Sequence, residues 1–204
     1  ITIGSSTQTG NITANAHTFT DPVSIIQDTS GGGSVTSAGH IQNSGGGISL
    51  TSGTAGISLG DSLTTTSGDI DINGAVTLSG GSTLTTNTSG NLDFSSTVDG
   101  GQDLALAVAG TTTFNGAVGS TTDVGDGTGA SIAITSTGTT SFESTVEGAS
   151  GITQAGAAGA LTFKDNVTLA DGNTATNLAG AVTLDGLNWS GYDGLTIGAL
   201  TLST

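Results

Sequence analysis

The sequence contains no cysteine, no methionine and no arginine, and its only cationic side chain of the Lys/Arg type is Lys164. Without cysteine the chain can form neither disulfides nor thiolate metal sites. The formal net charge is −15. Because phosphate binding needs clustered Lys or Arg, nucleic acid is excluded as a partner, and an anionic membrane surface is disfavoured for the same reason.

Long apolar runs are also missing. None approaches the roughly 20 residues that a membrane-spanning helix needs, so we expect no membrane insertion. Ile1 stands where a complete chain would begin with Met. We therefore expect these 204 residues to be part of a longer chain or filament.

Glycine, serine and threonine make up 100 of the 204 residues. Tracts rich in Gly and Ser are usually flexible linkers. Here, however, 39 threonines accompany many Val and Ile residues, which suit the surface of a pleated sheet. Periodicity therefore has to decide between disorder and strands.

A five-residue pattern recurs along the chain, with a glycine first and an Ile, Leu or Phe last, as in Gly68–Ile72, Gly110–Phe114 and Gly159–Phe163. The last residues of the copies are Leu50, Ile72, Phe94, Phe114, Phe142, Phe163, Leu184 and Leu202. Their spacings are 22, 22, 20, 28, 21, 21 and 18 residues. This is a period near 21 with one insertion, which we place at Thr121–Thr128.

Each copy alternates apolar and polar residues, as expected for a strand with one buried face. A valine follows four residues later in five copies, and Asn188 takes its place near the end; these valines are Val76, Val98, Val118, Val146 and Val167. A second alternating stretch follows about ten residues on, as in Leu104–Val108, Ile132–Ile134 and Leu195–Ile197. No stretch has the apolar stripe of a long helix.

These features predict an all-β fold, a parallel β-helix (β-solenoid) with rungs of about 20–22 residues. An antiparallel sandwich and disorder are the alternatives. We expect a single solenoid segment over residues 1–204, with regular repeats at 46–204 and less regular rungs at 1–45. In the irregular part, Phe19 and Val23 keep the aromatic-to-valine spacing, which leaves a second insertion or an irregular rung between Phe19 and Leu50.

The repeats Gly110–Gly119 and Gly159–Val167 resemble the shaft of filamentous-haemagglutinin-like adhesins, giant bacterial surface proteins of the two-partner-secretion type. The resemblance covers about 46–204 and concerns repeat style. It implies a right-handed parallel β-helix, export to the cell surface through an outer-membrane partner, and service as a stalk in attachment or biofilm. The Asn-Pro motifs of that family's secretion domain are missing, because the only proline, Pro22, follows Asp21.

Carboxylates are the main candidates for chemistry. The repeat frame places Asp69, Asp71 and Asp93 close together on one outer face, and it places Asp99 and Asp103 at a nearby corner. A pair of carboxylates could hydrolyse glycosides. The one cationic candidate, Lys164, lies several rungs from Asp71, and we expect the acids to be a solvent-facing coat and the chain not to be an enzyme.

The two histidines and a Gly/Asp-rich segment are further candidate sites. His17 falls in an inward phase and His40 in a Gly/Ser loop, so no Ser-His-Asp arrangement can be inferred. Asp123 and Asp126 resemble part of a calcium loop, but only one fragment of the tandem pattern occurs. We favour a plain insertion loop and assign no metal or cofactor.

Threonine pairs on an outer strand face suggest ice or glycan binding as an alternative function. The predicted outward pairs are Thr83/Thr85, Ala105/Ala107, Ala133/Thr135, Thr153/Ala155 and Thr174/Thr176. Six of these ten residues are threonine, which is mixed rather than regular. Trp189 and Tyr192 interrupt one repeat and are either a carbohydrate-stacking contact or a packed corner, and we favour the corner.

The sequence therefore predicts a structural repeat segment of a secreted bacterial surface or extracellular fibre, which gives rigid extension and supports adhesion or biofilm. Its expected partners are neighbouring repeats, copies of itself end to end, or a host or matrix glycan or protein. The alternatives are an ice- or glycan-binding solenoid and a polysaccharide-active β-helix enzyme.

Overall fold

The computed structural model describes residues 1–28, 30–170, 174–185, 188–191 and 194–203. Over these residues the regular structure consists of strands, every strand pair is parallel, and there is no helix. Consequently, none of the described segments is a helix long and apolar enough to cross a membrane. The chain is a β-solenoid of about nine turns, which confirms the predicted fold.

Each of the first five turns contributes three short strands. In chain order they are β1 (Thr2–Gly4), β2 (Ile12–Ala14), β3 (His17–Phe19), β4 (Val23–Ile26), β5 (Val35–Ser37), β6 (Ile41–Asn43), β7 (Ile48–Thr51), β8 (Ile57–Leu59), β9 (Leu63–Thr65), β10 (Ile70–Asn73), β11 (Val76–Leu78), β12 (Ser82–Thr86), β13 (Leu92–Phe94), β14 (Val98–Asp99) and β15 (Leu104–Val108).

The later turns vary this plan. Their strands are β16 (Thr112–Phe114), β17 (Ile132–Ile134), β18 (Thr140–Phe142), β19 (Val146–Gly148), β20 (Ile152–Gln154), β21 (Leu161–Phe163), β22 (Val167–Leu169), β23 (Thr176–Asp185), β24 (Trp189–Ser190) and β25 (Leu195–Ser203). In the sixth turn isolated bridges at two residues replace the second strand between β16 and β17: Val118 bridges to Val98 and Val146, and Val124 bridges to Gly148. β23 and β25 each run from the third strand of one turn into the first strand of the next.

The strands form three stacks. The first stack contains β1, β4, β7, β10, β13, β16, β18, β21 and the second halves of β23 and β25. The second stack contains β2, β5, β8, β11, β14, β19, β22 and β24. The third stack contains β3, β6, β9, β12, β15, β17, β20 and the first halves of β23 and β25.

The repeat frame predicted from sequence is the register of the first stack. From Leu50 to Leu202, the last residue of each copy is the direct parallel partner of the last residue of the next copy. Four of these residues are fully buried phenylalanines, Phe94, Phe114, Phe142 and Phe163. Their rings stack with centroids 4.6–4.9 Å apart and planes within 12° of parallel. The sequence repeat thus becomes a continuous aromatic column inside the solenoid.

The valines form the predicted second column, which continues upstream through Ile57 and Val35 to Ile12. The last described residue of this column is Trp189, which pairs with Val167; the prediction of Asn188 at this position is therefore wrong. The prediction placed the column residue four positions after the last residue of every copy. The register places one more residue between Leu184 and the column in this turn.

The first two turns also correct the sequence register. Leu50 pairs with Ile25, which in turn pairs with Ile3, so Phe19 is not part of the aromatic column. Phe19 belongs to the third stack, where its partner is Asn43. Phe19 and Val23 therefore belong to two different stacks, and the interval from Phe19 to Leu50 is not a rung of the first stack.

The insertion in the sixth turn is divided into two parts. Val124 lies inside the predicted insertion, yet it is fully buried and bridges to Gly148. The step from Val118 to Val124 is six residues, whereas the matching step in the next turn, from Val146 to Gly148, is two. The step from Val124 to Ile132 is eight residues, whereas the matching step from Gly148 to Ile152 is four. Each part therefore adds four residues, and the chain returns to the core between them.

The glycine that opens each repeat has a steric cause. Gly110, Gly138 and Gly159 follow one another at the corner before the first stack, and a Cβ on Gly138 would overlap the carbonyl oxygen of Gly110. A Cβ on Gly159 would likewise overlap the carbonyl oxygen of Gly138. Only glycine lets the backbones of successive turns approach this closely.

Candidate functional site

The structure brings the first predicted acidic group together. Asp71 and Asp93 are direct partners on the outer side of β10 and β13, and Asp69 immediately precedes β10. Loss of hydration at its carboxyl, followed by the negative charges of Asp69 and Asp93, raises the pKa of Asp71 above its ordinary value. An open groove of about 500 Å³ runs beside Asp69 and Asp71.

Two of these carboxylates have structural partners in the next turn. The Asn91 backbone N–H donates to Asp69 Oδ1 at 2.7 Å, and one turn later the Thr111 N–H donates to Asn91 Oδ1 at 2.8 Å. An asparagine thus makes the same bridge as the aspartate, which means that the bridge does not need the charge. Asp93 Oδ1 accepts from Asn115 Nδ2 at 2.8 Å.

The second acidic group, at the corner between the second and third stacks, holds the divided insertion. Asp99 Oδ1 accepts the Thr121 N–H at 2.7 Å, and Asp103 Oδ1 accepts the Asp126 N–H at 3.3 Å. Desolvation and the charge of Asp126 raise the pKa of Asp103, although the hydrogen bond from the Asp126 N–H opposes this shift. These carboxylates satisfy backbone donors of a loop that leaves the regular strand path.

The segment with the calcium-like sequence is exposed at both of its acids. Asp123 and Asp126 face solvent, and Asp126 Oδ1 accepts the Thr128 N–H at 2.7 Å within the loop. Among the residues that the structure describes, no group of three His, Cys, Asp or Glu side chains could hold a metal ion. The arrangement of this segment is that of a loop with internal turn hydrogen bonds.

Lys164 is paired with a carboxylate of its own. Its Nζ lies 2.7 Å from Glu143 Oε2, in a pair that joins the seventh and eighth turns. The hydrogen bond from Lys164, with a second from Ser141, lowers the pKa of Glu143. Asp71 is four turns away, about 19 Å along the axis at the spacing of parallel strands. No step of sugar chemistry can therefore use Lys164 and Asp71 together.

The two histidines occupy separate positions. His17 is the partner of the buried Ile41 but is itself exposed in the first turn, with its ring 4.5 Å from that of Phe19. His40 Nε2 lies 2.9 Å from Thr64 Oγ1 on the third stack. Neither contact forms a catalytic triad.

The outer side of the third stack carries the predicted threonine pairs with one correction. Thr83, Ala105, Ala133 and Thr153 follow one another in register, but the next member is Asn177. Thr176, predicted to face outward, is buried with 1% of its surface exposed. The step from Thr153 to Asn177 is 24 residues where the prediction counted 21 to Thr174, and this shift of three residues exchanges the inward and outward positions. The column is thus chemically mixed.

Trp189 lies against the end of the aromatic column. Its ring meets Phe163 edge-on at a centroid distance of 5.2 Å and an interplanar angle of 82°, and the residue is half-buried. This geometry is that of a packed position, as favoured from sequence. Tyr192, the other aromatic residue considered there, lies outside the described residues.

Sequence reasoning missed a buried polar column at the corner between the third stack and the next turn. Asn43 Nδ2 donates to the Gly47 carbonyl at 3.0 Å, Thr86 Oγ1 donates to the Gly90 carbonyl at 3.0 Å, and Gln154 Nε2 donates to the Gly159 carbonyl at 2.7 Å. The signal in the sequence was a polar residue at the end of an alternating stretch, followed three to five residues later by the glycine that opens the next repeat. These side chains satisfy corner carbonyls and hold no candidate ligand.

Comparison with known proteins gives no relative: no family model, no curated protein and no solved structure matches the chain.

Proposed function

We propose that this chain is a structural segment of a secreted bacterial surface or extracellular fibre, which gives rigid extension and supports adhesion or matrix formation. The observation that carries the proposal is the unbroken register of the first stack from Ile3 to Leu202. At about 4.8 Å a turn, nine turns make a rod of about 43 Å. Every interior turn is hydrogen-bonded to both neighbours, so the rod resists bending and extends by adding turns.

A role without catalysis agrees with how the carboxylates are used. Asp69, Asp99 and Asp103 each accept a backbone N–H from the next turn, and Glu143 is paired with Lys164. Side chains engaged in this way hold turns together. The remaining acids contribute negative charge, which keeps a Gly- and Thr-rich surface soluble.

Partners in this role are further turns, from the same protein or from another copy. At one end of the described solenoid Ile3 is 37% exposed, and at the other end Leu200 and Leu202 are 50% and 69% exposed. The outer edges of β1 and of the second half of β25 present backbone groups that can pair with another parallel strand. The extracellular location is proposed from the adhesin-like repeat style.

Electron microscopy of native material tests the proposal. Antibodies against this chain, labelled with gold, should decorate thin fibres of constant width on intact cells. Protease added to those cells should remove the label. Intracellular label, or label on compact particles without fibres, would refute the proposed role.

A further inference from the structure

The outer side of the third stack differs from the rest of the surface in charge. Its strands contain no Asp, Glu or Lys in any of the nine turns. The neutral face, as we call it, is this outer side, and its centre is formed by Thr83, Thr85, Ala105, Ala107, Ala133 and Thr153.

The other two faces carry the charge. Asp71 and Asp93 lie on the first stack, and Asp99 and Glu147 lie on the second. Two copies, each with a formal charge of −15, repel one another wherever these faces meet. The neutral face is therefore the side on which two rods can approach at the lowest electrostatic cost.

The neutral face is large enough for a weak specific contact. Nine strands at about 4.8 Å give a length of about 43 Å, and three to five residues a strand give a width of about 10–16 Å. The area is then about 600 Å² per copy, or about 1,200 Å² for a pair. This lies at the lower edge of the range for specific protein interfaces, so the contact should be reversible.

The shape of the neutral face is self-complementary. Ala105 and Ala133 line a depression of about 320 Å³, with the carboxylate of Asp103 at its edge just before β15, and Ala107 lines a second depression of about 160 Å³. One turn earlier, the longer side chains of Thr83 and Thr85 line the first and the second depression respectively. A two-fold axis along β15 would place the fourth turn of each copy over the sixth turn of the other. Thr83 of each copy then lies opposite Ala133 of its partner, in the reciprocal manner of a symmetric dimer.

From this charge pattern, area and shape we infer that a second copy of this chain docks on the neutral face, with the two rods side by side and antiparallel. The contact is independent of any end-to-end contact and leaves both rod ends free. Because the charged faces still repel at a distance, association strengthens as salt is added and the Debye length falls. Most weak ionic contacts show the opposite dependence.

Sedimentation velocity of the purified chain measures this association. Between about 10 mM and about 300 mM NaCl the Debye length falls from about 30 Å to below 8 Å, and a monomer–dimer equilibrium should appear and shift toward dimer. The double variant Ala105→Asp/Ala133→Asp should stay monomeric in both conditions. The matched control Thr113→Asp/Ser141→Asp adds the same charge to neighbouring turns on the outer side of the first stack and should dimerise like the unmodified chain.

The sedimentation result also separates this contact from end-to-end assembly. A side-by-side dimer is shorter and has a lower frictional ratio than a dimer of rods joined at their ends. A monomer at every salt concentration would overturn the inference. So would a dimer that persists in the Ala105→Asp/Ala133→Asp variant, or one whose frictional ratio is that of a doubled rod.

Cysteine chemistry tests the position of the axis, because the natural chain has no cysteine. Ala105→Cys places two thiols opposite each other across the proposed axis, and a short bis-maleimide should link them into a covalent dimer in high salt. Thr113→Cys, on the first stack, is the control and should remain unlinked. Failure of Ala105→Cys to link, or equal linking of the two variants, would overturn docking on the neutral face.

Discussion

Replacing Thr112 or Thr140 with valine should stabilise the solenoid. The two threonines are direct partners on the inner side of β16 and β18, where neighbouring turns carry Leu92 and Leu161. Their exposed fractions are 0% and 2%, and neither hydroxyl has a hydrogen-bond partner among the described residues. A buried hydroxyl without a partner costs about 1–3 kcal/mol.

The size of the effect follows from the change of one group. Valine has the shape of threonine with a methyl group in place of the hydroxyl, so the backbone and its neighbours need not move. The substitution removes the unpaired hydroxyl and buries an apolar group instead. We expect each valine to raise the free energy of unfolding by about 1–2 kcal/mol. Because the two residues are direct partners in neighbouring turns, the gain of the double variant should differ from the sum of the two single gains.

Thr86→Val is the matched control. Thr86 is as well buried, at 1% exposed, but its Oγ1 donates to the Gly90 carbonyl at 3.0 Å and accepts the Ala109 N–H at 2.8 Å. The same substitution here leaves the Ala109 N–H without this partner, whereas the Gly90 carbonyl keeps its hydrogen bond from the Gly110 N–H. It should therefore lower the free energy of unfolding by about 1–3 kcal/mol, which is a change of opposite sign.

Urea denaturation followed by far-ultraviolet circular dichroism measures both effects. With a slope near 2 kcal/mol per molar urea, a gain of 1–2 kcal/mol moves the midpoint up by about 0.5–1 M. A lower midpoint for Thr112→Val would refute the reasoning, because it would show that the hydroxyl has a partner, such as an internal water, in solution. A rise for Thr86→Val would refute it equally.

Three further predictions concern the core, the corners and the acidic face. Phe114→Ala should lower the free energy of unfolding by about 3–5 kcal/mol in the same assay, because it opens a cavity inside the aromatic column; the half-buried Phe19 is the control and should lose clearly less on the same change. Gly138→Ala should lower the thermal midpoint, because its Cβ would overlap a carbonyl of the previous turn, whereas Gly81→Ala meets open space and should leave the midpoint unchanged or slightly raised. Asp71→Asn should raise stability at neutral pH by less than about 1 kcal/mol: the folded-state pKa of Asp71 is raised, so its ionised form opposes folding, and the gain should disappear as pH falls through that pKa. A gain from Asp71→Asn that persists in acid, or equal losses within either control pair, would contradict these arguments.

The periodic part of the fold could be read from sequence because stacking repeats the same environment every turn. Leu50, Ile72 and Phe94 meet the same inward position in successive turns, so the same residue class recurs at the rung spacing. The outward neighbours Asp71 and Asp93 follow from that register, which is why the acidic group was predicted correctly.

The positions that were predicted wrongly depend on the lengths of the corners between strands, and the pattern of apolar residues carries no information about those lengths. Trp189 takes a place counted for Asn188, and Asn177 takes one counted for Thr174, each after a corner of irregular length. An error of one or three residues in a strand exchanges the buried and exposed faces. Phe19 shows a second limit, because an inward aromatic residue fits more than one stack equally well.

The divided insertion shows how this architecture separates stability from surface variation. Val124 returns to the core between two four-residue excursions, and Val118 keeps the second column connected across the gap, so the inner contacts of the sixth turn are preserved. Asp99 and Asp103 then satisfy the backbone of the added residues from outside. Because each turn depends mainly on its neighbours, added chain at one corner need not disturb the aromatic column or the neutral face. A rod built in this way can change its corners while its core keeps one register.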